Sequence, residues 1–346
     1  MNSIIRILLF PLSLLWGSIA WIRRWYFNSN HGKRRFKSSI PTLLVGNLTV
    51  GGTGKTPMII HLVEELKKDY CIAVLSRGYG RKTKGFREVS ADNHWSEVGD
   101  EPLEIKRVSN CLVFVCEHRV LGMKNIQELY PEVNLVLLDD GYQHLQFQST
   151  CSIILSDYNR MFYADKPLPA GRLREFPSAV AEASMVVVSK CPSELELPVI
   201  SNIHQRIQEY KQGIPVFFAE YKTTAPQYSR GLGAELQDSS ILITGVVGGE
   251  KVKQKLESQV SIVKHFNYAD HAEFSQKDVQ DWLNYCEKCN IKSLIFTRKD
   301  LMRLGDLLPE DVLNKNGLTV FEIHTTVEIL NSESLNYHQK IIQNLK

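Results

Sequence analysis

Gly51-Gly52-Thr53-Gly54-Lys55-Thr56 is a run whose residue types and spacing suit one task, the grip of a polyphosphate. Glycines let backbone N–H groups converge on phosphate oxygens, and a helix starting directly behind them adds favourable potential. On this reading Thr49, Val50, Gly51, Gly52, Thr53 and Gly54 wrap the phosphates of a nucleoside triphosphate. Lys55 reaches the β- and γ-phosphates, and the Thr56 hydroxyl is a ligand for Mg²⁺. Thr49 stands five residues before Gly54, where the usual pattern has glycine. The flanks agree with the motif. Residues 41–45 are an apolar run of strand length, and residues 58–66 carry apolar positions at helical spacing.

Four further clusters carry chemical groups. The apolar residues 135–138 run into Asp139-Asp140-Gly141-Tyr142-Gln143-His144. Behind a phosphate loop, carboxylates at a strand end hold Mg²⁺ directly or through water, and Gln143 and His144 add polar groups beside them. Ser76-Arg77-Gly78-Tyr79-Gly80-Arg81 puts two cations and an aromatic after another strand, at the edge where α/β proteins take ligands. Asp100 and Glu101 stand in a turn before a helix, and alone they read as a cap with favourable first-turn charge. Arg172 and Arg174 follow a small-residue turn and are suited to neutralise a transferring phosphate or grip an anionic substrate.

Positioning these groups requires a sheet. Residues 71–75, 111–115, 135–138, 152–155 and 185–188 are continuous Val-, Ile- and Leu-rich runs, the pattern of parallel strands covered on both faces. A second set lies at 241–244, 260–266, 293–296 and 318–323, with a helix capped by Ser275 between them. The expected fold is α/β: a mostly parallel sheet of the P-loop NTPase type with helices on both faces, then a smaller α/β lobe. The expected division is residues 1–38 as an N-terminal segment, 39–228 as the nucleotide lobe and 229–346 as the second lobe. The Gly- and Ser-rich stretch 229–240 is the expected connection, and 332–346 is a closing helix. A cleft between lobes is a common ligand site.

Residues 7–22 are almost all apolar, with Arg6 before them and Arg23-Arg24 after. A secretory signal, a spanning helix interrupted by Pro11 and an in-plane helix all fit the run. Cytosolic nucleotide chemistry thirty residues later favours association with the cytoplasmic side of a membrane, at a depth left open. Trp16, Trp21 and Trp25 suit the headgroup level, and the basic residues from Arg23 to Lys37 suit anionic lipid. Charge agrees: eight Lys or Arg precede the first acidic residue, Glu64, whereas the remainder has 33 basic and 38 acidic residues. No aromatic-basic motif points to nucleic acid, and no protein partner is indicated. Seven scattered cysteines favour reduced thiols, and Cys286 and Cys289 lack the second pair of a zinc site.

Taken together these segments resemble the tetraacyldisaccharide 4′-kinases, membrane-associated kinases of lipid A synthesis. The resemblance is carried by the phosphate loop with its Thr49, Ser76-Arg77-Gly78-Tyr79-Gly80, Gly99-Asp100-Glu101-Pro102, the Asp139-to-His144 run, residues 168–175, Asp270-His271 and residues 297–300. It implies transfer of phosphate from ATP to the 4′-hydroxyl of an acylated, 1-phosphorylated glucosamine disaccharide, an anionic glycolipid, at the cytoplasmic face of the bacterial inner membrane. It implies Asp100 as catalytic base paired with His271, Lys55 and Thr56 in their phosphate-loop roles, and Asp139 and Asp140 on the metal side. Arg77, Tyr79, Glu101, Gln143, His144 and Arg172 are the candidate contacts to substrate or phosphate. Arg298 stands where the family often has Glu. The competing class is a P-loop nucleotide switch, a GTPase or ATPase acting on a protein partner. Ser189-Lys190-Cys191 faintly resembles its base-reading loop but lacks the expected Asn and Asp.

Overall fold

The computed structural model describes residues 3–29, 35–233, 235–270, 272–330 and 334–346. Among the described residues the strands form a nine-stranded sheet, a five-stranded sheet and a small two-stranded ladder of Phe36–Lys37 with Phe147–Gln148. The large sheet runs Thr325–Ile329, Val216–Thr223, Met185–Cys191, Cys151–Asp157, Thr42–Asn47, Leu135–Asp139, Ile72–Ser76, Leu112–Val115 and Arg87–Glu88. Its seven inner strands are parallel and the two edge strands antiparallel. Thr42–Asn47, Ile72–Ser76 and Leu135–Asp139 are buried at every position, as strands covered on both faces must be.

Strand alternation sends side chains to two cores. Leu43, Val45, Val74 and Leu137 meet the helices Lys55–Leu66, Asp100–Ser109 and Ser334–Leu345 on one face. Leu44, Ala73, Leu75 and Leu138 meet Arg119–Leu129 and Leu197–Gln208 on the other. The smaller sheet runs Gln227–Gly231, Thr319–Ile323, Ser293–Thr297, Ser239–Thr244 and Ser261–Asn267, with Trp282 of the helix Gln276–Cys289 fully buried against it. Ser275 caps that helix as the sequence indicates, through Asp278.

Two expectations about the lobes need correction. The connection is not 229–240, since Gln227–Gly231 is already a strand of the smaller sheet. The chain crosses between sheets at residues 223–227 and returns at 323–325, where Thr224 N donates to His324 O at 2.9 Å and His324 N to Thr224 Oγ1 at 3.1 Å. The second lobe also stops short of residue 346. Thr325–Ile329 pairs with Val216–Thr223, and Tyr337 of the last helix is buried on the first sheet. Apolar side chains in both segments find their uncovered surface there, which sequence order alone does not reveal.

The N-terminal run is one helix, Ser3–Asn28, continuous through Pro11. By length and composition it is able to cross a membrane, and it is mostly uncovered: Ile7, Leu8, Leu15, Ile19 and Trp25 are all more than half exposed. One stripe of it is buried. Ser13, Gly17 and Arg24 lie on that stripe at helical spacing, against residues 170–176.

Candidate active site

The functional groups gather at the carboxyl ends of the central strands. The phosphate loop leaves Thr42–Asn47 and enters the helix Lys55–Leu66 through Gly51 (φ 107°) and Gly54 (φ 90°), backbone conformations that L side chains rarely adopt. Asn47 Nδ2 donates to Thr53 Oγ1 at 2.8 Å, and Ser189 Oγ to Thr53 O at 2.9 Å. Lys190, in a left-handed conformation, reaches Gly52 O and pairs with Asp157 at 2.8 Å. On the other side the loop is backed by residues 172–174: Val50 N donates to Arg172 O at 2.8 Å and Arg174 N to Leu48 O at 2.7 Å.

Tyr221 closes the base of the loop, its hydroxyl 3.1 Å from Gly54 O. A Cβ on Gly54 would lie 2.2 Å from the Tyr221 ring and would also hold an unfavourable φ. Gly54→Ala is therefore expected to destabilise the protein by about 2 kcal/mol or more, through overpacking and the left-handed backbone together. Thermal unfolding of the variant beside Gly54→Ala/Tyr221→Ala separates the two causes: the second change should recover part of the loss. No recovery means that the backbone term dominates.

Lys55 Nζ lies 3.7 Å from Asp140 Oδ1. Arg174 straddles the same carboxylate, with Nη1 at 3.0 and 3.1 Å from its two oxygens and Nη2 at 3.2 Å from Oδ2, and also donates to Gln143 Oε1 at 3.0 Å. Gln143 in turn donates to Asn47 O at 3.0 Å, tying the strand end to the loop. Burial works to raise the Asp140 carboxyl, but Lys55 and Arg174 outweigh it and hold the group below the usual carboxylate range. Asp140 is also one of the few non-glycine residues with positive φ, at 48°.

Asp139 is in the opposite situation. Burial pushes its carboxyl up to about 6, Glu101 and Asp140 add to the shift, and Lys55 and a 2.9 Å hydrogen bond from Ser76 oppose it. Asp139 Oδ1 is buried with no hydrogen-bond partner among the described residues. A buried, orphaned carboxylate oxygen on a group that feels the Lys55 charge fits a hard divalent cation shared with nucleotide phosphates. Among the described residues no group of three or more His, Cys, Asp and Glu could hold a metal alone, so phosphate and water would complete the shell.

Asp100 opens the helix Asp100–Ser109 behind Gly99 (φ 95°). It is a first-turn residue, as expected, but is buried and engaged from the far lobe. Arg303 donates to Asp100 Oδ2 through Nε at 2.9 Å and Nη2 at 2.7 Å, and Lys299 Nζ lies 3.8 Å away. The Arg303 side chain is 1% exposed and also reaches Gly245 O at 2.6 Å and Asp300 Oδ1 at 3.1 Å. Lys299 pairs with Glu101 at 2.8 Å. Asp100 and Glu101 are thus stitched to the second lobe by two cations. Arg298, at the departure from the family pattern, pairs with Glu322 at 2.7 Å and His324 at 2.8 Å beside the crossing between sheets.

Arg119 was not foreseen. Almost fully buried, it donates to Cys116 O and to Asp139 O at 2.9 Å, and burial lowers its guanidinium to about 10. Burial and the charges of Arg119, Arg77 and Arg23 push His144 down to about 4, so that it is neutral at pH 7. Of the other sequence candidates, Arg77 and Tyr79 are exposed on their loop. Arg172 has an exposed side chain with no hydrogen bond or ion pair among the described residues, and its carbonyl accepts from Val50 N of the loop. The neighbour two residues on, Arg174, is the one aimed at Asp140. His271 lies outside the described residues.

A family model described as tetraacyldisaccharide-1-P 4′-kinase matches residues 5–342. The chain belongs to this family. Curated relatives named tetraacyldisaccharide 4′-kinase include that of Cytophaga hutchinsonii, 36% identical over 315 residues, 90% of this chain and 89% of the relative. The Flavobacterium psychrophilum protein is 34% identical over 317 residues, covering 90% and 91%, and a Bacteroides fragilis protein is 32% identical over 352, covering 96% and 92%. Among solved structures, LpxK from Aquifex aeolicus, crystallised in complex with ATP, superposes with a TM-score of 0.72 over 99% of this chain and 100% of its own at 24% identity, a likeness of fold. Family membership makes the chain an ATP-dependent kinase of lipid A synthesis. No observation favours the nucleotide-switch alternative.

Proposed function

We propose that the groups at this sheet edge carry out the family's reaction, moving the γ-phosphate of ATP to the 4′-hydroxyl of a tetraacylated glucosamine disaccharide 1-phosphate. One observation carries the assignment of roles: Lys55, Asp139 and Asp140 converge at the strand ends while the exposed apolar helix Ser3–Asn28 docks at the same edge. A soluble nucleotide and a membrane lipid are thereby offered to one place.

Lys55 meets the charge that develops on the transferring phosphoryl group, and Asp140 with Arg174 keeps Lys55 in reach. Asp100 accepts the proton of the 4′-hydroxyl as its oxygen attacks phosphorus and ADP leaves, with His271 as the partner that takes up part of that proton. Thr56 and Asp139, with Asp140 beside them, would hold Mg²⁺, which when bound draws charge from the phosphate oxygens. Exposed Arg77, with the charges of Arg119 and Arg23 near enough to depress His144, is suited to an anionic substrate group. Transfer of labelled γ-phosphate to the disaccharide lipid, compared with free sugars and no acceptor, tests the reading. Turnover independent of acceptor would sink it.

Use of ATP supports the cytoplasmic side for the site, and the exposed apolar helix with its basic flank supports that helix as the membrane contact. Arg24, expected from the sequence to face lipid, is instead buried on Glu175; Arg23 and Lys37 are exposed, and Lys33 and Arg34 lie outside the described residues. At about 1 kcal/mol per charge near an anionic surface, Arg23→Gln with Lys37→Gln should weaken binding to anionic vesicles by roughly tenfold or more at low salt. Co-sedimentation with anionic and neutral vesicles measures this. Equal, unchanged binding to both would remove the electrostatic part.

A further inference from the structure

Residues 169–175 touch both the phosphate loop and the apolar helix. One side of this strap pairs with the loop, through Val50 N to Arg172 O and Arg174 N to Leu48 O, with Leu173 fully buried. The other side receives the helix. Ala170 N donates to Ser13 Oγ at 2.8 Å, and Trp16 Nε1 donates to Arg174 O at 3.0 Å. Gly17 faces Phe176 so closely that a Cβ would lie 2.5 Å from the ring.

Arg24 completes the contact. It forks onto Glu175, Nε to Oε2 at 2.7 Å and Nη2 to Oε1 at 2.8 Å, donates to Tyr142 O at 3.3 Å, pairs with Glu182 at 2.9 Å and lies over the Tyr142 ring. Arg24 is 6% exposed and Glu175 5%. Two of the residues it grips, Glu175 and Tyr142, adjoin the site. Glu175 follows Arg174, which straddles Asp140, and Tyr142 lies two residues beyond Asp140.

A helix needed only as a membrane tether would dock equally well through apolar contacts, and replacing buried ion pairs by apolar groups is often neutral or stabilising. A planar fork between two charges fixes orientation in a way that apolar packing does not. We infer that the N-terminal helix is a positioning element of the phosphate site, with Arg24 a positioning residue that acts through Glu175 and the strap to set Arg174 against Asp140. This rests on the proposed phosphate-side role of Asp140 and Arg174. Misplacement by about 1 Å at such a site costs on the order of 10² in rate.

The test uses the full chain, labelled ATP and tetraacyldisaccharide 1-phosphate in detergent micelles, so that membrane recruitment is not limiting. Arg24→Gln should lower kcat by roughly 10- to 100-fold with KM for the lipid and binding to anionic vesicles nearly unchanged, and Arg24→Lys should recover part of the loss. In an Arg174→Gln background, Arg24→Gln should cost little more, as for residues acting through one another. If Arg24→Gln does not fold, Arg24→Gln/Glu175→Gln leaves no charge unpaired between the two and should fold but turn over slowly. Wild-type kcat in either folded variant, a loss confined to lipid KM or vesicle binding, or an undiminished loss in the Arg174→Gln background would each overturn the inference. Wild-type turnover in Arg174→Gln would instead overturn the site reading, and this inference with it.

Discussion

Asp100→Asn is expected to lower phosphoryl transfer by roughly 10²–10⁴-fold, the usual contribution of a positioned general base, while ATP affinity stays near normal. A sugar hydroxyl is a poor nucleophile, and a carboxylate with a pKa of about 3.9 in water is a weak base at pH 7. The proposed partnership with His271 answers that difficulty. The environment of Asp100 also dictates the choice of variant. Arg303 places two N–H groups on Asp100 Oδ2 and Lys299 stands 3.8 Å away, so Asp100→Ala would strand buried cations. Asparagine keeps the shape and an acceptor, and separates loss of the base from loss of fold. His271→Ala should fall steeply as well, and the double variant should be little worse than the worse single one. Additive losses, or full activity in His271→Ala, would refute the dyad and leave Glu101, which Lys299 binds at 2.8 Å, as the next partner to test.

Lys55→Ala carries the second large effect, on the order of 10² or more in kcat/KM, comparable with the loss of other preorganised donors to a developing charge. Its local consequences are specific. Lys55 helps hold Asp140 down and opposes the rise of Asp139, so without it both carboxyls shift upward and the site binds protons more readily. Arg174 remains on Asp140, so the loop should persist and the variant should fold. Single-turnover transfer with saturating ATP separates chemistry from binding; a folded Lys55→Ala protein with near-normal turnover would exclude the assigned role.

Much of this was legible in the residues because it is local. The phosphate loop is contiguous, with Gly51 and Gly54 where the backbone turns left-handed and Lys55 at the helix start. The aspartates end a five-residue apolar strand, and that run is long enough to specify its own burial. The strand runs from 71–75 to 318–323 fall on observed strands with ends one to three residues off at most, since buried parallel strands announce themselves by continuous apolar character.

What escaped the sequence depends on partners supplied from elsewhere. Arg172 and Arg174 are equivalent as letters; only the second finds Asp140 and Gln143 within reach of its guanidinium. Arg23 and Arg24 are likewise equivalent. Helical rotation leaves Arg23 exposed and turns Arg24 onto Glu175, 151 residues away. Arg303 carried no motif, yet it meets Asp100 across 203 residues and both lobes. Thr325–Ile329 and Ser334–Leu345 return to the first sheet because its edge and face were open to them. Backbone conformation and burial at one strand or loop follow from short-range sterics and apolar patterning, so the sequence determines them by itself. An arginine's choice among lipid, water and a carboxylate is an electrostatic matter of what lies within a few ångströms, and only the tertiary structure decides that.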